Sequence, residues 1–340
     1  TLENAYRDVR IAFSTEIVRF CDENDIDFYS VREQVNRLLS QSDSSTSDPN
    51  AVPTGGILIP MLGVGGHCLP KDGILLWWRS IEAGNETTNS IILKSRTIND
   101  ESPVHTLRMT EEKLGSMSDS TVALLGVAYR FNSEDTRNSP TIALANHLRT
   151  NGVRYIMHDP FVKKDDQNLI KYQQQDMFTN NLTEALESAD YIIMCSAHRD
   201  YLKNFGKILS GKKVKGIADA CNVYPSDMFK DKQINYCGIG RGTIKPDESF
   251  IKFVYESFRA MERGIANELL ALIDFYNSRF ATDEYNKVDF SEVQRLARTC
   301  STGCEITDPG PVESIPEYRG FSSRLVRCAF EAGKKVMSYE

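Results

Sequence analysis

The sequence predicts an α/β protein built from a helical first segment, a doubly wound parallel sheet and a helical C-terminal tail. Three observations point there. Between about residues 119 and 245, short apolar runs alternate with helical patterns, as strands buried on both faces alternate with crossover helices. Ahead of that stretch, apolar residues recur at helical spacing. After Lys245 the spacing is helical again. The chain is therefore divided into residues 1–118, 119–245 and 246–340.

Taken in order, Thr1 to about Leu39 reads as helix, with Ile11, Phe13, Ile17, Val18 and Phe20 near one buried face. It opens at Thr1 without a cap or lead-in, which reads either as a chain trimmed of a tag or disordered leader or as a helix cut from a longer chain with an upstream domain. Residues 40–50 are mostly Ser and Asp with Pro49; they cannot bury a core and read as an inserted surface loop. Pro53 to Asp72 is rich in turn residues around His67 and Cys68, and helix resumes near Asp72. A longer helix is expected from about Thr88 to Leu114, stopping at Gly115, with Pro103 placed to kink or split it.

The sheet begins with Thr121–Ala128, an unbroken apolar run after its first residue. Val153–His158, Tyr191–Cys195, Gly216–Ala220 and Asn235–Ile239 supply four more strands, with helices at Thr141–Thr150 and Leu182–Ser188. In the tail, Phe250–Phe280 reads as one or two helices. Phe290–Thr299 and Phe321–Ser338 read as two more, and Ser301–Gly320 as loop.

Composition narrows the function classes. The chain has 340 residues, 41% hydrophobic and 26% charged, as in a soluble globular protein. Its 47 acidic residues outnumber 40 basic ones, giving a net charge of −7, which argues against nucleic acid as a partner. The longest apolar cluster, near Ile74–Trp78, is broken by Arg79, so no membrane partner is expected. Eight scattered cysteines read as reduced thiols of a cytoplasmic protein. Cys300 and Cys304 have no second pair with useful spacing, so no metal site is expected. His105, His147 and His198 stand alone and read as ordinary surface or core residues.

The densest chemistry lies in Gly63-Val64-Gly65-Gly66-His67-Cys68-Leu69-Pro70-Lys71-Asp72. Glycines admit close backbone approach, and Pro70 suits the first turn of a helix. Cys68 then stands near a helix N-terminus with Lys71 close by, and both favour the nucleophilic form of its side chain. Asp72, one turn on, is placed to orient Lys71 or a water. A buried Cys in a tight turn is the competing reading; the flanking Gly-Gly and Pro-Lys-Asp favour the nucleophile.

At this point the sequence resembles the UDP-glucose/GDP-mannose dehydrogenase family, NAD-dependent nucleotide-sugar 6-dehydrogenases. Residues 65–72 match the family's Gly-Gly-x-Cys-x-Pro-x-Asp at every fixed position. Glu3-Asn4-x-Tyr6-Arg7-Asp8-Val9 resembles its central-helix motif. Gly126-Val127-Ala128-Tyr129-Arg130, followed by Asp135-x-Arg137-x-Ser139-Pro140, resembles the start of its nucleotide-sugar domain. His158-Asp159-Pro160 matches the close of the second strand, and Gly238-Ile239-Gly240-Arg241 that domain's end.

The resemblance implies a helical central dimerisation domain at 1–118 and a Rossmann-like UDP-sugar domain at 119–245, extended by the tail. It implies oxidation of a sugar C6 alcohol to a carboxylate with two NAD per turnover. Cys68 would take the aldehyde as a thiohemiacetal that becomes a thioester and is hydrolysed. Asn4 would stabilise the oxyanion and order water, and Asp72 would assist hydrolysis. Gly65, Tyr129 and Arg130, with Asn4, would contact the nucleotide sugar. Lys71 and Arg137 are assigned to the cofactor; Arg137 is read as an anion site ahead of an ion pair with Glu134 or Asp135.

His67 and the Tyr6–Phe13 stretch look more like the branch acting on UDP-N-acetylhexosamines of the mannosamine type. The family's catalytic lysine, four residues before the motif asparagine, and its NAD domain with a Gly-x-Gly-x-x-Gly turn would fall before Thr1. Thr54 and Cys221 stand where relatives often carry basic residues. A homodimer through an apolar face of the central helices is expected. The alternative is a module that binds UDP-sugar or assembles without turnover.

Overall fold

The computed structural model describes all residues except 45, 83–88, 205, 207, 209–213, 226–227, 229–233, 300–304 and 337–340, and additionally leaves aside the side chains of 44, 50, 80, 284 and 334–336. The chain forms two compact units, one of Thr1–Ile59, Lys71–Asn99 and Gly242–Glu340, the other of Pro60–Pro70 and Asp100–Arg241. These differ from the three segments read from the sequence. The tail joins the first helices, and Pro60–Pro70 with residues 100–118 goes with the sheet.

The first unit is built around α1 (Leu2–Glu23). It is flanked by α2 (Phe28–Ser44), α4 (Ile91–Asp100) and the tail helices α10 (Glu248–Phe280) and α12 (Arg324–Val336). From Asp8 to Cys21 no residue of α1 is exposed. The reason lies in one stripe of the helix. Phe13 meets Phe258 edge-on at 5.5 Å, and Phe20 stacks with Phe250 and Phe321 at 5.3 and 4.6 Å. Each such ring removed from water contributes about 1.5–3 kcal/mol.

Between them, Glu16 accepts the N–H groups of Arg324 and Leu325 at 3.0 and 3.3 Å, a carboxylate at the N-terminus of α12. Where α10 meets α12, a Cβ on Gly264 would stand 2.4 Å from Ala329 Cβ and 2.3 Å from Ile91 Cδ1, so only glycine permits that approach. The sequence reading took Phe13 and Phe20 as part of one buried face of the first helix, without saying what buries it. The structure closes it with the chain's own tail, because α10 carries the matching aromatic stripe.

Further differences are local. Helix α2 runs to Ser44, and Pro49–Ala51 makes one short turn, so the Ser/Asp stretch is shorter as a loop than expected. The long helix expected over 88–114 is two, α4 and α5 (Ser102–Leu114), with Pro103 in the first turn of α5 and Gly115 closing it. Helix α3 starts earlier than expected, at Cys68, and runs to Glu82. The first long tail pattern is a single helix, and α11 (Phe290–Arg298) follows it.

The second unit carries a six-stranded parallel sheet in the order β3-β2-β1-β4-β5-β6. The strands are β1 (Thr121–Leu125), β2 (Arg154–His158), β3 (Phe178–Thr179), β4 (Tyr191–Met194), β5 (Gly216–Asp219) and β6 (Asn235–Gly238). All four residues of β4 and of β5 are buried, as the apolar runs require. The sixth strand, β3, was not expected; its two residues are too few to show a period. Helices α6 (Pro140–Thr150), α7 (Gln167–Lys171), α8 (Leu182–Glu187) and α9 (Arg199–Lys203) connect the strands. Strand order reverses between β1 and β4, the switch point at which such sheets bind ligands. There Gly126, at φ +101°, would place a Cβ 2.5 Å from that of Ser196.

Candidate active site

The Cys68 loop belongs to the sheet unit. Its path is fixed against the segment that follows β1. Gly66 donates its N–H to Arg137 O at 2.7 Å, and Asn138 Nδ2 donates to Gly66 O at 2.8 Å. The side chain of Tyr129 lies over the paired glycines. A Cβ on Gly65 would stand 2.3 Å from Tyr129 Cβ, and one on Gly66 2.9 Å from the ring. Gly66 is also left-handed, with φ +86°. The Gly-Gly pair is thus required by the approach of Tyr129 as well as by backbone shape. His67 and Cys68 emerge from this clamp exposed, and Cys68 opens α3, with Lys71 and Asp72 one turn further on.

In the first unit, Asn4 Nδ2 donates to Asp72 Oδ2 at 2.7 Å, while Lys71 Nζ lies 3.5 Å from Asp72 Oδ1. Asn4's hydrogen bond foremost, and then the charge of Lys71, hold the Asp72 carboxyl below its usual range. The structure therefore joins Asn4, Lys71 and Asp72 in one cluster. Lys71, assigned to the cofactor from the sequence, pairs here with Asp72. Deeper in the same unit, Asp8 accepts from Arg96 Nη1 at 2.7 Å and Asn99 Nδ2 at 2.8 Å, and Tyr6 donates to Glu262 at 3.2 Å. These motif residues bind the helices of the unit to one another.

After β1, the turn at 126–128 is fastened to the start of α6. Ser139 caps that helix through Thr141 N and Ile142 N, and Thr141 Oγ1 donates to Gly126 O at 2.8 Å. Arg130 is exposed and Tyr129 half-buried. Arg137 is exposed and forms the ion pair with Asp135 that the sequence reading had ranked second. Its guanidinium holds both oxygens of Asp135, at 2.9 Å from Nε and 2.5 Å from Nη2. That pairing lowers the Asp135 carboxyl and raises Arg137. The two residues are neighbours in one turn, which brings the pair together locally.

Thr54 and Cys221 are buried, and the Cys221 thiol donates to Met194 O at 3.4 Å. The Cys300/Cys304 pair lies outside the described residues. Among the described residues no cluster of ligating side chains suits a metal, and no helix is long and apolar enough to cross a membrane.

NAD needs a glycine turn that leads directly into a helix and seats the pyrophosphate at its N-terminus. Among the described residues the sheet lacks one. Fourteen residues separate β1 from α6, the N-terminus of α6 is capped by Ser139, and the Gly238-x-Gly240-x-Gly242 stretch opens no helix before Glu248. The residues present do not fit the pyrophosphate of NAD, and no hydride step is assigned to them.

Sequence reasoning quoted Asp159 in a family motif and read His198 as an ordinary surface or core residue, and gave neither a part in this region. Asp159 Oδ2 accepts the N–H groups of Val127 and Ala128 at 2.7 and 2.9 Å and His198 Nε2 at 3.0 Å. The position of Asp159 directly after a strand was a usable signal; a solitary His198 gave none.

Comparison with known proteins identifies the family. The UDP-glucose/GDP-mannose dehydrogenase family matches twice, by its central domain over residues 1–101 and its UDP binding domain over residues 123–226. A UDP-N-acetyl-D-mannosamine dehydrogenase of Methanocaldococcus jannaschii is 29% identical over 71% of this chain and 50% of its own length. The solved UDP-D-ManNAc dehydrogenase of Pyrococcus horikoshii superposes with a TM-score of 0.55 at 27% identity, over 72% of this chain and 51% of that one. The NDP-N-acetyl-D-galactosaminuronic acid dehydrogenase of Methanosarcina mazei gives 0.58 at 31%, over 71% and 49%. The chain spans about half the length of the curated relatives it matches. With two domains of one family matched in order across more than half of its residues, and the glycine–cysteine loop held against the sheet, the chain belongs to the UDP-glucose/GDP-mannose dehydrogenase family.

Proposed function

We propose that the protein containing this chain oxidises the C6 alcohol of a UDP-N-acetylhexosamine, of the mannosamine type, to the uronate, and that this chain supplies nucleotide-sugar binding and the covalent half of the chemistry. The supporting observation is the exposed Cys68 on a loop clamped to the Tyr129–Asn138 segment at the carboxyl side of β1. In this reading Arg130 and Tyr129 contact the nucleotide sugar, with Gly65 allowing close approach. The Cys68 thiol adds to the C6 aldehyde as a thiohemiacetal; its hydride would pass to a second NAD to leave the thioester, and water hydrolyses that to the carboxylate, returning the Cys68 thiol. Asn4 steadies the oxyanion and Asp72 directs the water; an ionised Asp72 is suited to accept its proton.

NAD is the oxidant the family implies. The proposal also keeps the cytoplasmic location read from the dispersed thiols, and a homodimer on surfaces other than the covered stripe of α1. A dimer in light scattering at micromolar concentration is expected; a monomer contradicts that part.

The test is binding and turnover. Calorimetry with UDP should show saturable binding to this chain, weakened about tenfold by Arg130→Ala. The protein carrying its cofactor domain should form the uronate and lose that ability with Cys68→Ser. A second reading is a UDP-sugar-binding module without turnover. UDP binding combined with no uronate from the cofactor-domain-bearing protein would establish it.

A further inference from the structure

The side chain of Asp159 is fully buried immediately after β2 and gathers five hydrogen bonds. Its Oδ2 takes the three described above, and its Oδ1 accepts from Phe161 N at 2.8 Å and Val162 N at 3.1 Å. His198, equally buried, bridges this carboxylate to the far end of the same loop. Its Nδ1 lies 2.8 Å from Asn132 N, whose only role can be donor. Nδ1 is therefore unprotonated, Nε2 carries the proton, and Nε2–H donates to Asp159.

Together the two side chains hold Val127 and Ala128 at one end of a six-residue segment and Asn132 at the other. Asn132 sits at φ +52°, a conformation Asn tolerates, and its Oδ1 accepts Arg199 N at 3.0 Å. What remains outward between the fastened ends is Arg130, exposed, and Phe131, 52% exposed. A buried polar bridge of this kind is costly to leave half-made. Here it is used on a surface loop at the sheet's switch point, where ligands bind, and not on the packing of the core.

We propose that Asp159 and His198 are positioning residues for nucleotide-sugar recognition. They fix the backbone path of residues 127–132 and so hold Arg130 at the carboxyl edge of the sheet. This rests on the UDP-sugar reading given above.

The test uses the full chain and UDP as the probe, with calorimetry. His198→Phe keeps a ring of similar size and loses both hydrogen bonds. It should weaken UDP binding severalfold, up to the roughly tenfold loss expected of Arg130→Ala. In the Arg130→Ala background the same change should cost almost nothing, because its effect passes through Arg130. His198→Asn, whose amide oxygen replaces Nδ1 as acceptor, should recover part of the affinity. A general structural role would instead lower affinity equally in both backgrounds, and would overturn the proposal.

Nitrogen NMR of the unsubstituted chain provides a readout that no variant's folding affects. Nδ1 of His198 should resonate as unprotonated, and the Asn132 amide should shift on adding UDP. A protonated Nδ1, or an Asn132 amide unmoved at saturation, would overturn the proposal. Absence of any UDP binding by the unsubstituted chain would overturn the functional reading itself. Normal binding by His198→Phe would overturn the positioning role alone.

Discussion

Asn4 donates its amide hydrogen to Asp72 at 2.7 Å, across 68 residues of chain. The pair ties the helix that opens the chain to the helix that begins with Cys68. Its electrostatic consequence can be measured: the carboxyl stays ionised to lower pH than a free aspartate because Asn4 stabilises the anion. Asn4→Ala should move the Asp72 titration upward toward the ordinary aspartate value in a carbon-detected NMR titration. The linkage has the sign of a depressed acid. The stabilising contribution is present above the unfolded pKa and is lost as pH falls through the folded one. An unshifted Asp72 in the variant would show that the hydrogen bond does not hold the carboxylate.

Thiol reactivity separates Cys68 from the other described cysteines. Cys21, Cys195, Cys221, Cys237 and Cys328 are buried. Burial pushes the Cys195 thiol up to about 12 and raises Cys21 and Cys221 strongly. Brief alkylation near neutral pH followed by peptide mass spectrometry should modify Cys68 ahead of these five. Earlier modification of any of them in the folded chain would count against the exposed loop geometry.

The tail is part of the first unit's core, so damage to it should be felt there. Phe258 is fully buried against Phe13. Phe258→Ala should destabilise that unit by about 3–5 kcal/mol in urea denaturation. If the tail were an appendage, the variant would unfold at the same urea concentration as the parent.

Glu262 lies beneath Tyr6 and beside Arg259, and burial raises its carboxyl to about 7, with the Arg259 charge opposing the rise. Here the sign reverses. The folded state binds a proton that the unfolded state has released, so stability is fully present below the unfolded pKa. It falls as pH rises through the folded one, by about 3 kcal/mol at most. Chemical denaturation between pH 5 and 8 should show this decline, and Glu262→Gln should flatten it. Equal slopes for parent and variant would assign the pH dependence elsewhere.

The legible parts of this molecule were those whose signals are local. Ser139-Pro140 announced a helix start, Gly115 a helix stop, and the runs at 121–125 and 191–194 buried strands, and each is found. The Gly65–Asp72 stretch was legible as a tight turn leading into a helix because its residue types are adjacent in the chain. What escaped reading depends on partners distant in sequence. Nothing local to Phe13 or Phe20 says that residues 250, 258 and 321 will cover them, so the buried face was legible and its cover was not. Nothing near His198 points to Asn132, 66 residues earlier. Arg137 shows the converse case. Its ion pair with Asp135 is local, and the sequence reading set it behind a longer-range role that the family resemblance suggested.

The central claim is that Cys68 is the nucleophile at a UDP-sugar site. The most direct measurement is affinity labelling of this chain with a UDP-N-acetylhexosamine carrying a chloroketone at the C6 end, read by peptide mass spectrometry. A single adduct on Cys68, suppressed by excess UDP, is the predicted result. Labelling of a different cysteine, or labelling of Cys68 at a rate indifferent to UDP, would contradict it.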